Sequence, residues 1–325
     1  MTGLTSVVTG GSRGLGLLLA DALAARGGQV TIAARDRSEL DRGARLLRDR
    51  GRHRVRTAVC DVRDRAAVRE LLRSTAEACG GIDVVIANAG VIQVAPAQDL
   101  APGQFEEAMN TMFGGALHTS YEALPHLRRS PHGGRLALIG SVGGLVTPPH
   151  LLPYACAKSA VAALGEGLNA ELAAEGVSVT TVHPGLMRTG SHLQAEFGGD
   201  RRKEFGWFSA LAGTPGLSMN AERAAERIVS AVGHRRTRLV LTPLAKAAGA
   251  AHGIAPSATI RLTSLTARLL PAPAGHTELG KGDTVHPPTR GLAARLQSWG
   301  SALNDRASYA YNQRPSAPGR DGSGT

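Results

Sequence analysis

Hydrophobic and polar positions follow two alternating patterns along this chain. Short apolar or β-branched runs predict strands at 5–9, 29–34, 54–60, 82–87, 135–139, 177–182 and 238–241. Between them, apolar residues recur at helical spacing and predict helices at 15–26, 38–50, 64–79, 105–129, 154–175 and 221–232, the second with Ser38 as its N-cap. Such an alternation predicts an α/β fold in which helices cover both faces of a doubly wound parallel sheet.

One segment inside this alternation has a different composition. Residues 190–216 combine glycine, charge and four clustered aromatic side chains, Phe197, Phe205, Trp207 and Phe208. We interpret it as a substrate loop that belongs to a single main domain, residues 1–242. Its composition fits a mobile lid and a helix packed on the body equally well.

The alternation is lost after residue 242. Residues 243–312 predict a partly helical C-terminal extension, with weak helical patterns at 258–270 and 292–303. Residues 313–325 are rich in proline, glycine and serine, a composition that predicts a disordered tail.

The formal net charge is +11, so nucleic acid and anionic membranes have to be considered as partners. Thirteen arginines lie between Arg35 and Arg73, but seven acidic residues are interleaved with them. Mixed charge at helical spacing is typical of solvated helix faces. We therefore expect no nucleic-acid partner, and peripheral membrane contact is kept as an alternative.

Cysteine content and hydropathy indicate the compartment. The three cysteines, Cys60, Cys79 and Cys156, form no Cys-x-x-Cys pair, which argues for a reducing compartment and against a metal site. No apolar run reaches the roughly 18 residues that a membrane span needs, and the first nine residues show no signal-peptide pattern. We expect a cytoplasmic protein without a metal ion.

A glycine-rich turn follows the first strand and opens the first helix. Glycines there permit a tight turn and let backbone N–H groups approach a pyrophosphate at the helix N-terminus. The candidate cofactor contacts in this turn are Thr9, Gly10, Ser12, Arg13, Gly14, Leu15 and Gly16.

Three further motifs follow predicted strands or open a helix. Asn88-Ala89-Gly90 comes after the fourth strand and Ser141 after the strand at 135–139, and ligands of open parallel sheets bind at such carboxyl ends. Tyr154 and Lys158 are four residues apart and so share one helix face. An ammonium beside a phenol stabilises the phenolate, which would lower the pKa of Tyr154.

Together these motifs resemble the classical short-chain dehydrogenase/reductase family over residues 3–242. The matching pattern consists of Thr9-Gly10-xxx-Gly14-x-Gly16, Asn88-Ala89-Gly90, Ser141, Tyr154-xxx-Lys158 and Pro184-Gly185. The resemblance implies a Rossmann-type domain and hydride transfer between a nicotinamide cofactor and a carbonyl or alcohol. It also implies a small-molecule substrate and a homo-oligomer.

Individual roles follow from the same resemblance. Tyr154 would be the general acid in reduction and the base in oxidation, Ser141 would hold the substrate oxygen, and Lys158 would lower the pKa of Tyr154 and hold the nicotinamide ribose. Asn88 would stabilise the centre of the sheet. The remaining contacts implied for the cofactor, from the adenine end to the nicotinamide end, are Arg35, Asp61, Val62, Ala89, Gly90, Pro184, Gly185 and Thr189.

One position departs from the family pattern. Many members carry an asparagine in the long helix before the serine strand, where it completes a water-borne proton relay. Counting back from Leu124-Pro125 places Met112 there, and Asn110 lies about 200° away around the helix. An inserted residue would change this register. His150 and His183 flank the proposed site, and we expect both to be structural.

Cofactor choice depends on the end of the second strand. Members that prefer NAD usually carry an acid there, whereas this chain has Ala34 followed by Arg35. Arg35 and Arg13 suit a 2′-phosphate, which favours NADP(H). In the competing interpretation, Asp36 contacts the ribose 2′-hydroxyl and the cofactor is NAD.

The leading hypothesis is therefore an NADP-dependent oxidoreductase that acts on an apolar carbonyl or alcohol. Two alternatives belong to other functional classes. One is a non-catalytic NADP-binding regulatory protein whose relay is altered at Met112. The other is a membrane-surface or nucleic-acid binder that uses the basic surface and residues 243–270.

Overall fold

The computed structural model describes residues 2–214, 217–285, 304 and 306–314. Its centre is a sheet of seven parallel strands in the order β3-β2-β1-β4-β5-β6-β7. The strands are β1 (Thr5–Thr9), β2 (Gln29–Ala34), β3 (Val55–Val59), β4 (Val84–Ala87), β5 (Arg135–Ile139), β6 (Ser178–His183) and β7 (Arg238–Val240). The predicted doubly wound α/β fold is confirmed.

Helices cover both faces of this sheet. They are α1 (Gly14–Ala24), α2 (Arg37–Asp49), α3 (Arg65–Cys79), α4 (Pro102–Ala108), α5 (Gly115–Arg128), α6 (Leu152–Leu172), α7 (Arg201–Gly213), α8 (Ala221–Gly233), α9 (Pro243–Ile254) and α10 (Pro256–Ala267). One apolar core joins the sheet to α1, α2 and α8, and a second joins it to α3, α5 and α6. Strand β4 is buried along its whole length, as expected for a strand covered on both faces.

The helix predicted at 105–129 is interrupted. A π-helical segment, Met109–Gly114, separates α4 from α5 and accommodates an extra residue in the turn. A Cβ on Gly115 would lie 2.6 Å from a methyl carbon of Val62, so the glycine lets α5 approach the loop after β3 closely. Hydrophobic spacing alone could not reveal this interruption.

The N-terminus of α2 differs from the prediction by two residues. Ser38 was the expected capping residue, but the Asp36 carboxylate accepts the hydrogen bonds of the Glu39 backbone N–H, at 2.9 Å, and of the Ser38 hydroxyl, at 2.7 Å. An ionised carboxylate is also favoured by the positive end of the helix dipole.

The extension is more helical than its pattern indicated. Helix α10 corresponds to the predicted segment 258–270, whereas α9 was not predicted because its alanine-rich and glycine-rich sequence lacks large periodic side chains. Further on, Gly280–Lys281 pairs with Glu196–Phe197 of the substrate loop. The predicted helix at 292–303 lies outside the described residues.

The end of the chain returns to the main domain. Gln313 was placed in the disordered tail, yet it is buried and its carbonyl accepts a hydrogen bond from Gln194. The predicted boundary at residue 313 is therefore too early, while residues 315–325 lie outside the described part of the chain.

Candidate active site

The glycine-rich turn connects β1 to α1 at the carboxyl edge of the sheet. Gly10 and Gly14 have φ values of +63° and +55°, a region that favours glycine. A Cβ on Gly16 would overlap the carbonyl oxygen of Gly10, so α1 can start this close to the turn only with glycine at that position. Glycine at these positions lets other groups approach the helix N-terminus closely, and in this structure the Gly14 backbone N–H donates to the Tyr311 carbonyl at 2.8 Å.

Asn88 links this turn to the end of β4 through hydrogen bonds. Its side-chain amide donates to the carbonyl oxygens of Thr9 and Gly10, both at 3.1 Å. The Thr9 hydroxyl in turn accepts from the backbone N–H groups of Asn88, at 3.1 Å, and Ala89, at 3.4 Å. The structure therefore brings the first two predicted motifs together, and Asn88 supports the centre of the sheet as the resemblance implied.

Ser141, Tyr154 and Lys158 converge beside them. Ser141 lies just beyond the end of β5, and Tyr154 and Lys158 lie on one face of α6. A Cβ on Gly143 would lie 3.4 Å from a ring carbon of Tyr154 and 3.5 Å from the Ser141 Oγ, which shows how closely the two side chains approach. The Lys158 Nζ lies 5.8 Å from the centre of the Tyr154 ring.

Burial dominates the protonation of this cluster. It raises the pKa of Tyr154, and a hydrogen bond from Ser141 opposes that shift only in part. Burial also lowers the pKa of Lys158 from 10.5 to about 8. Lowering of the Tyr154 pKa by Lys158 was expected, but without cofactor the phenol is held in its neutral, proton-donating form.

Lys158 has unused hydrogen-bonding capacity. Its Nζ donates to the carbonyl oxygen of Ile139 at 2.6 Å, the one hydrogen bond it makes among the described residues. An ammonium group carries three N–H donors. Gly90 lies close by, since a Cβ there would be 3.7 Å from the Lys158 Nζ. The Lys158 ammonium therefore has N–H donors beyond the one that Ile139 accepts, at a point where the chain has no side chain on Gly90.

His183 positions the serine rather than reacting itself. It is fully buried, and burial lowers its pKa, so the ring is neutral. Its Nδ1 lies 3.3 Å from the carbonyl oxygen of Ser141, which assigns the proton to Nδ1 in this contact. The expectation that His183 is structural agrees with this environment.

Charged residues gather between the glycine-rich turn and α2. Arg13 forms an ion pair with Glu39 at 2.6 Å, and the Ser12 hydroxyl donates to the same carboxylate at 3.1 Å. Arg35 is exposed and forms no ion pair within the described residues. Asp36 is engaged as the N-cap of α2, which reduces its capacity to accept a ribose hydroxyl.

The remaining cofactor candidates surround this edge. Asp61 forms an ion pair with Arg63 at 2.6 Å after β3, and the Val62 carbonyl lies 3.0 Å from the His118 ring. Beyond β6, the Pro184 carbonyl accepts from the backbone N–H of Val142 at 2.8 Å, and Thr189 is buried. The carboxyl ends of β1 to β6 thus bring all predicted site residues to one edge.

Met112 lies in the π-helical segment and is almost completely buried. It packs with Ala108, Ala157 and Tyr154, and a Cβ on Gly90 would lie 3.5 Å from its sulfur. The inserted turn does not replace it with Asn110. A thioether cannot donate a hydrogen bond, so the asparagine-dependent relay of many family members is absent at this position.

The aromatic cluster forms a small core of its own. Phe197, Phe205 and Phe208 are buried against one another around α7. The fully buried Glu204 accepts hydrogen bonds from His150, at 2.9 Å, and from the Trp207 indole, at 2.7 Å. Of the two interpretations of this segment, the structure favours a helix packed on the body.

Sequence reasoning missed the C-terminal residues beside the glycine-rich turn. The Tyr311 carbonyl accepts from the Gly14 backbone N–H at 2.8 Å, and the Asn312 amide donates to the carbonyl oxygens of Ser12 and Glu39. The Gln313 amide nitrogen lies 2.7 Å from where a Gly14 Cβ would be. Ala307 and Tyr311 are four positions apart, as on one helix face, but a pattern this short between polar residues was too weak to predict docking.

Among the described residues, no group of three or more His, Cys, Asp or Glu side chains could hold a metal ion. In the same part of the chain, no helix is both long and apolar enough to cross a membrane.

Comparison with known proteins agrees with this geometry. The family model for short chain dehydrogenases matches residues 5–196, more than half of the chain. An uncharacterized oxidoreductase of Staphylococcus saprophyticus is 32% identical over 184 residues, which cover 57% of this chain and 78% of that protein. An oxidoreductase of Botryotinia fuckeliana is 35% identical over 190 residues, which cover 58% of this chain and 68% of that protein.

A solved structure extends the similarity to the fold. A short-chain dehydrogenase from Streptomyces avermitilis superposes with a TM-score of 0.68 at 26% identity, covering 82% of this chain and 98% of that one. The sequence match and the shared fold lead to one conclusion. The chain belongs to the short-chain dehydrogenase family and is an oxidoreductase that uses a nicotinamide cofactor on a small-molecule substrate.

Proposed function

We propose that this oxidoreductase uses NADP(H) and exchanges a hydride with the carbonyl or alcohol carbon of an apolar substrate, with Tyr154 as general acid and base. The observation that carries the proposal is the convergence of Ser141, Tyr154 and Lys158 beside the glycine-rich turn. The turn has glycine at its points of close approach and Lys158 has N–H donors to spare, and both features suit a dinucleotide, although the Gly14 N–H is taken by the Tyr311 carbonyl.

The cofactor supplies the hydride, and this chain supplies the proton and the positioning. In reduction, the neutral phenol of Tyr154 donates its proton to the oxygen that develops negative charge. The Ser141 hydroxyl donates a hydrogen bond to that same oxygen and orients it. Lys158 holds ribose hydroxyls through N–H groups that do not contact Ile139, and its positive charge stabilises the phenolate left after proton transfer.

Replacement of Tyr154 by Phe tests the acid. It removes only the hydroxyl, so the fold and the NADPH affinity should be kept while turnover falls by at least about 100-fold, the usual contribution of a positioned general acid. Tyr121→Phe, on the exposed face of α5, is the matched control and should keep full turnover. Turnover is measured by the loss of NADPH absorbance over a panel of aldehydes and ketones, and an active Tyr154→Phe enzyme would refute the role.

The preference for NADP(H) is supported by Arg35, which has no ion-pair partner among the described residues, and by the occupation of Asp36 as a helix cap. Arg13 contributes in the same region, although Glu39 must share it with a phosphate. A charge-assisted contact is worth about 1.5–3 kcal/mol, so NADPH should bind at least about tenfold more tightly than NADH. Equal affinities, or tighter binding of NADH, would contradict this preference.

The variant Arg35→Ala should lose most of that discrimination. Arg37→Ala removes an exposed arginine two residues later and serves as the control. Both are compared by fluorescence titration with NADPH and NADH, because a direct binding assay does not require the substrate to be known.

An apolar substrate is supported by the apolar part of a cavity of about 780 Å³, which polar residues such as Gln98, His252 and Arg268 also line. Pro96, Pro148, Pro149, Leu152 and Ile260 contribute to its wall. Pro148 approaches within 3.6 Å of where a Gly143 Cβ would be, and Gly143 lies against both Tyr154 and Ser141. A cytoplasmic location and assembly as a homo-oligomer complete the proposal.

A further inference from the structure

Helices α9 and α10 form a hairpin that is hardly embedded in the protein. Ala245 is the one buried residue of α9, and α10 has none. Large aliphatic side chains are exposed instead: Leu262 by 61%, Leu265 by 54%, Leu269 by 86% and Ile254 by 85%. Isolated exposed leucines are ordinary, but a cluster of this kind marks an interaction surface.

The exposed leucines are arranged as one stripe. Leu265 follows Leu262 by three positions, which at 100° per residue places the two within about 60° of each other around the helix axis, and Leu269 follows in the turn after α10. Arg261 precedes Leu262, and Arg268 is the residue that caps the C-terminus of α10. One flank of the apolar stripe is thus cationic.

The charge of the hairpin is of one sign. Residues 243–270 contain no Asp or Glu, and their cations are Lys246, Arg261 and Arg268. None of the three forms an ion pair with a residue that the structure describes. Arg65 and Arg69, by contrast, are paired with Glu122. The positive charge of the hairpin is therefore not compensated by acidic residues within it or by ion pairs with the described residues around it.

From this combination we infer that the α9–α10 hairpin docks on the surface of an anionic phospholipid bilayer. An apolar stripe beside long cationic side chains fits the interfacial region, because the leucines enter the acyl boundary while the guanidinium groups meet lipid phosphates. A protein partner would need acidic groups at matching positions around an apolar groove. A bilayer offers lipid phosphates and an apolar interior at every point of its surface, so the hairpin can bind without a matched arrangement of partner groups.

The inner side of the same hairpin borders the cavity next to the active site. Thr259, Thr263 and Ala267 of this side line the cavity together with Pro148 and His150 of the main domain, and Arg268 at the end of α10 contacts it as well. Helix α9 packs over the loop after β5, where a Cβ on Gly249 would lie 3.5 Å from Leu145. If the proposed function holds, the substrates are carbonyl compounds or alcohols that are dissolved in the membrane.

Vesicle flotation with the full chain tests the docking. Vesicles of phosphatidylcholine containing phosphatidylglycerol are compared with vesicles of phosphatidylcholine alone. The protein should float with the anionic vesicles, and binding should fall steeply as NaCl is raised from about 0.1 M to about 0.5 M. The triple variant L262S/L265S/L269S should lose at least about tenfold in partitioning, since it removes the whole stripe.

Two further variants test whether the hairpin arginines contribute specifically to vesicle binding. R261Q/R268Q should weaken binding to anionic vesicles, whereas R45Q/R48Q removes the same charge from exposed positions on α2 and should not. Thermal unfolding establishes that each variant is folded. No flotation of the wild type, or equal losses in the two arginine variants, would overturn the inference.

Two outcomes distinguish membrane docking from self-association through the stripe and from failure of the proposed function. If the triple variant changes the oligomeric state in size-exclusion chromatography while the wild type ignores vesicles, the stripe binds a second copy and the membrane inference fails. Tyr154→Phe should float like the wild type, so a variant that floats and also keeps wild-type turnover would contradict the proposed function while leaving docking intact.

Discussion

Lys158 is the residue at which function and stability conflict most directly. Its ammonium is buried, burial lowers its pKa to about 8, and among the described residues it meets a single acceptor, the Ile139 carbonyl. A buried cation without sufficient partners costs folding free energy. The position is best explained by acceptors that a bound nucleotide provides, since ribose hydroxyls can take the remaining N–H donors.

A pH-dependent stability measurement follows from this conflict. Because the folded-state pKa of Lys158 lies below its usual value of 10.5, the unfolded chain binds this proton more tightly. The resulting penalty is fully present below about pH 8 and is relieved as the pH rises toward 10.5. Lys158→Met should therefore be more stable than the wild type at pH 7, and the difference should shrink over that window.

Melting temperatures of the cofactor-free proteins between pH 7 and pH 10 provide the test. Comparing the two proteins at each pH matters, because burial raises the pKa values of Cys60 and Tyr154 and so destabilises the folded state at high pH in both. The variant should also lose turnover and NADPH affinity. A stability difference that is constant with pH would show that the Lys158 ammonium is not desolvated in solution.

Single residues differed in how far the sequence predicted them. Ser141, Tyr154 and Lys158 could be expected near one another from a strand end and one helix face, while their proposed roles came from the resemblance to the family. The cap of α2 was misplaced because Asp36 and Ser38 are both good N-caps, and only the backbone path decides between them. Gln313 could not be found, because its contact with the Gly14 turn joins residues 299 positions apart.

At the scale of elements, strands were predicted more reliably than helix interruptions. Strands β1, β2 and β5 have the predicted bounds because buried parallel strands are short apolar runs between turn residues. The π-helical segment Met109–Gly114 breaks no periodicity that a short window can detect. For α7, the aromatic composition fitted a mobile lid and a packed helix equally well. A buried polar side chain distinguishes between the two.

That side chain is Glu204, which lies at the centre of the contact between α7 and the loop before α6. Glu204→Ala would leave the His150 ring and the Trp207 indole N–H without their acceptor in a buried site. Loss of one partner in such a site costs about 2 kcal/mol or more. Urea unfolding should show this decrease, together with a raised KM if α7 shapes the substrate site.

Glu226→Ala is the matched control for this experiment. Glu226 forms an exposed ion pair with Arg26 at 2.6 Å, and exposed pairs contribute only about 0–1 kcal/mol. If the two alanine variants lose the same small amount of unfolding free energy, Glu204 does not anchor α7.

At the scale of the whole molecule, the parallel sheet brings distant motifs together. Residues after β1, β4, β5 and β6 meet at one edge because parallel strands present their carboxyl ends on the same side. This convergence was predictable from the alternation of elements alone. The docking of the chain end was not, since it depends on a cleft that exists only after α1, α2 and α8 have packed.

The chain end should therefore contribute to global stability. Ala307 and Tyr311 belong to the same buried core as α1 and α8, and Asn304 donates to His192 and accepts from the Gly190 backbone N–H. Burial of one large side chain is worth about 1.5–3 kcal/mol, and each kcal/mol shifts the melting temperature of a large domain by about 2–4 °C.

Deletion of residues 304–325 should lower the melting temperature by about 5 °C or more, whereas deletion of 315–325 retains every described contact and should leave it unchanged. Differential scanning fluorimetry of the three proteins distinguishes these results. Equal melting temperatures for the full chain and the longer deletion would mean that the segment does not dock in solution, and the contacts of Tyr311, Asn312 and Gln313 with the glycine-rich turn would then have no effect on the site.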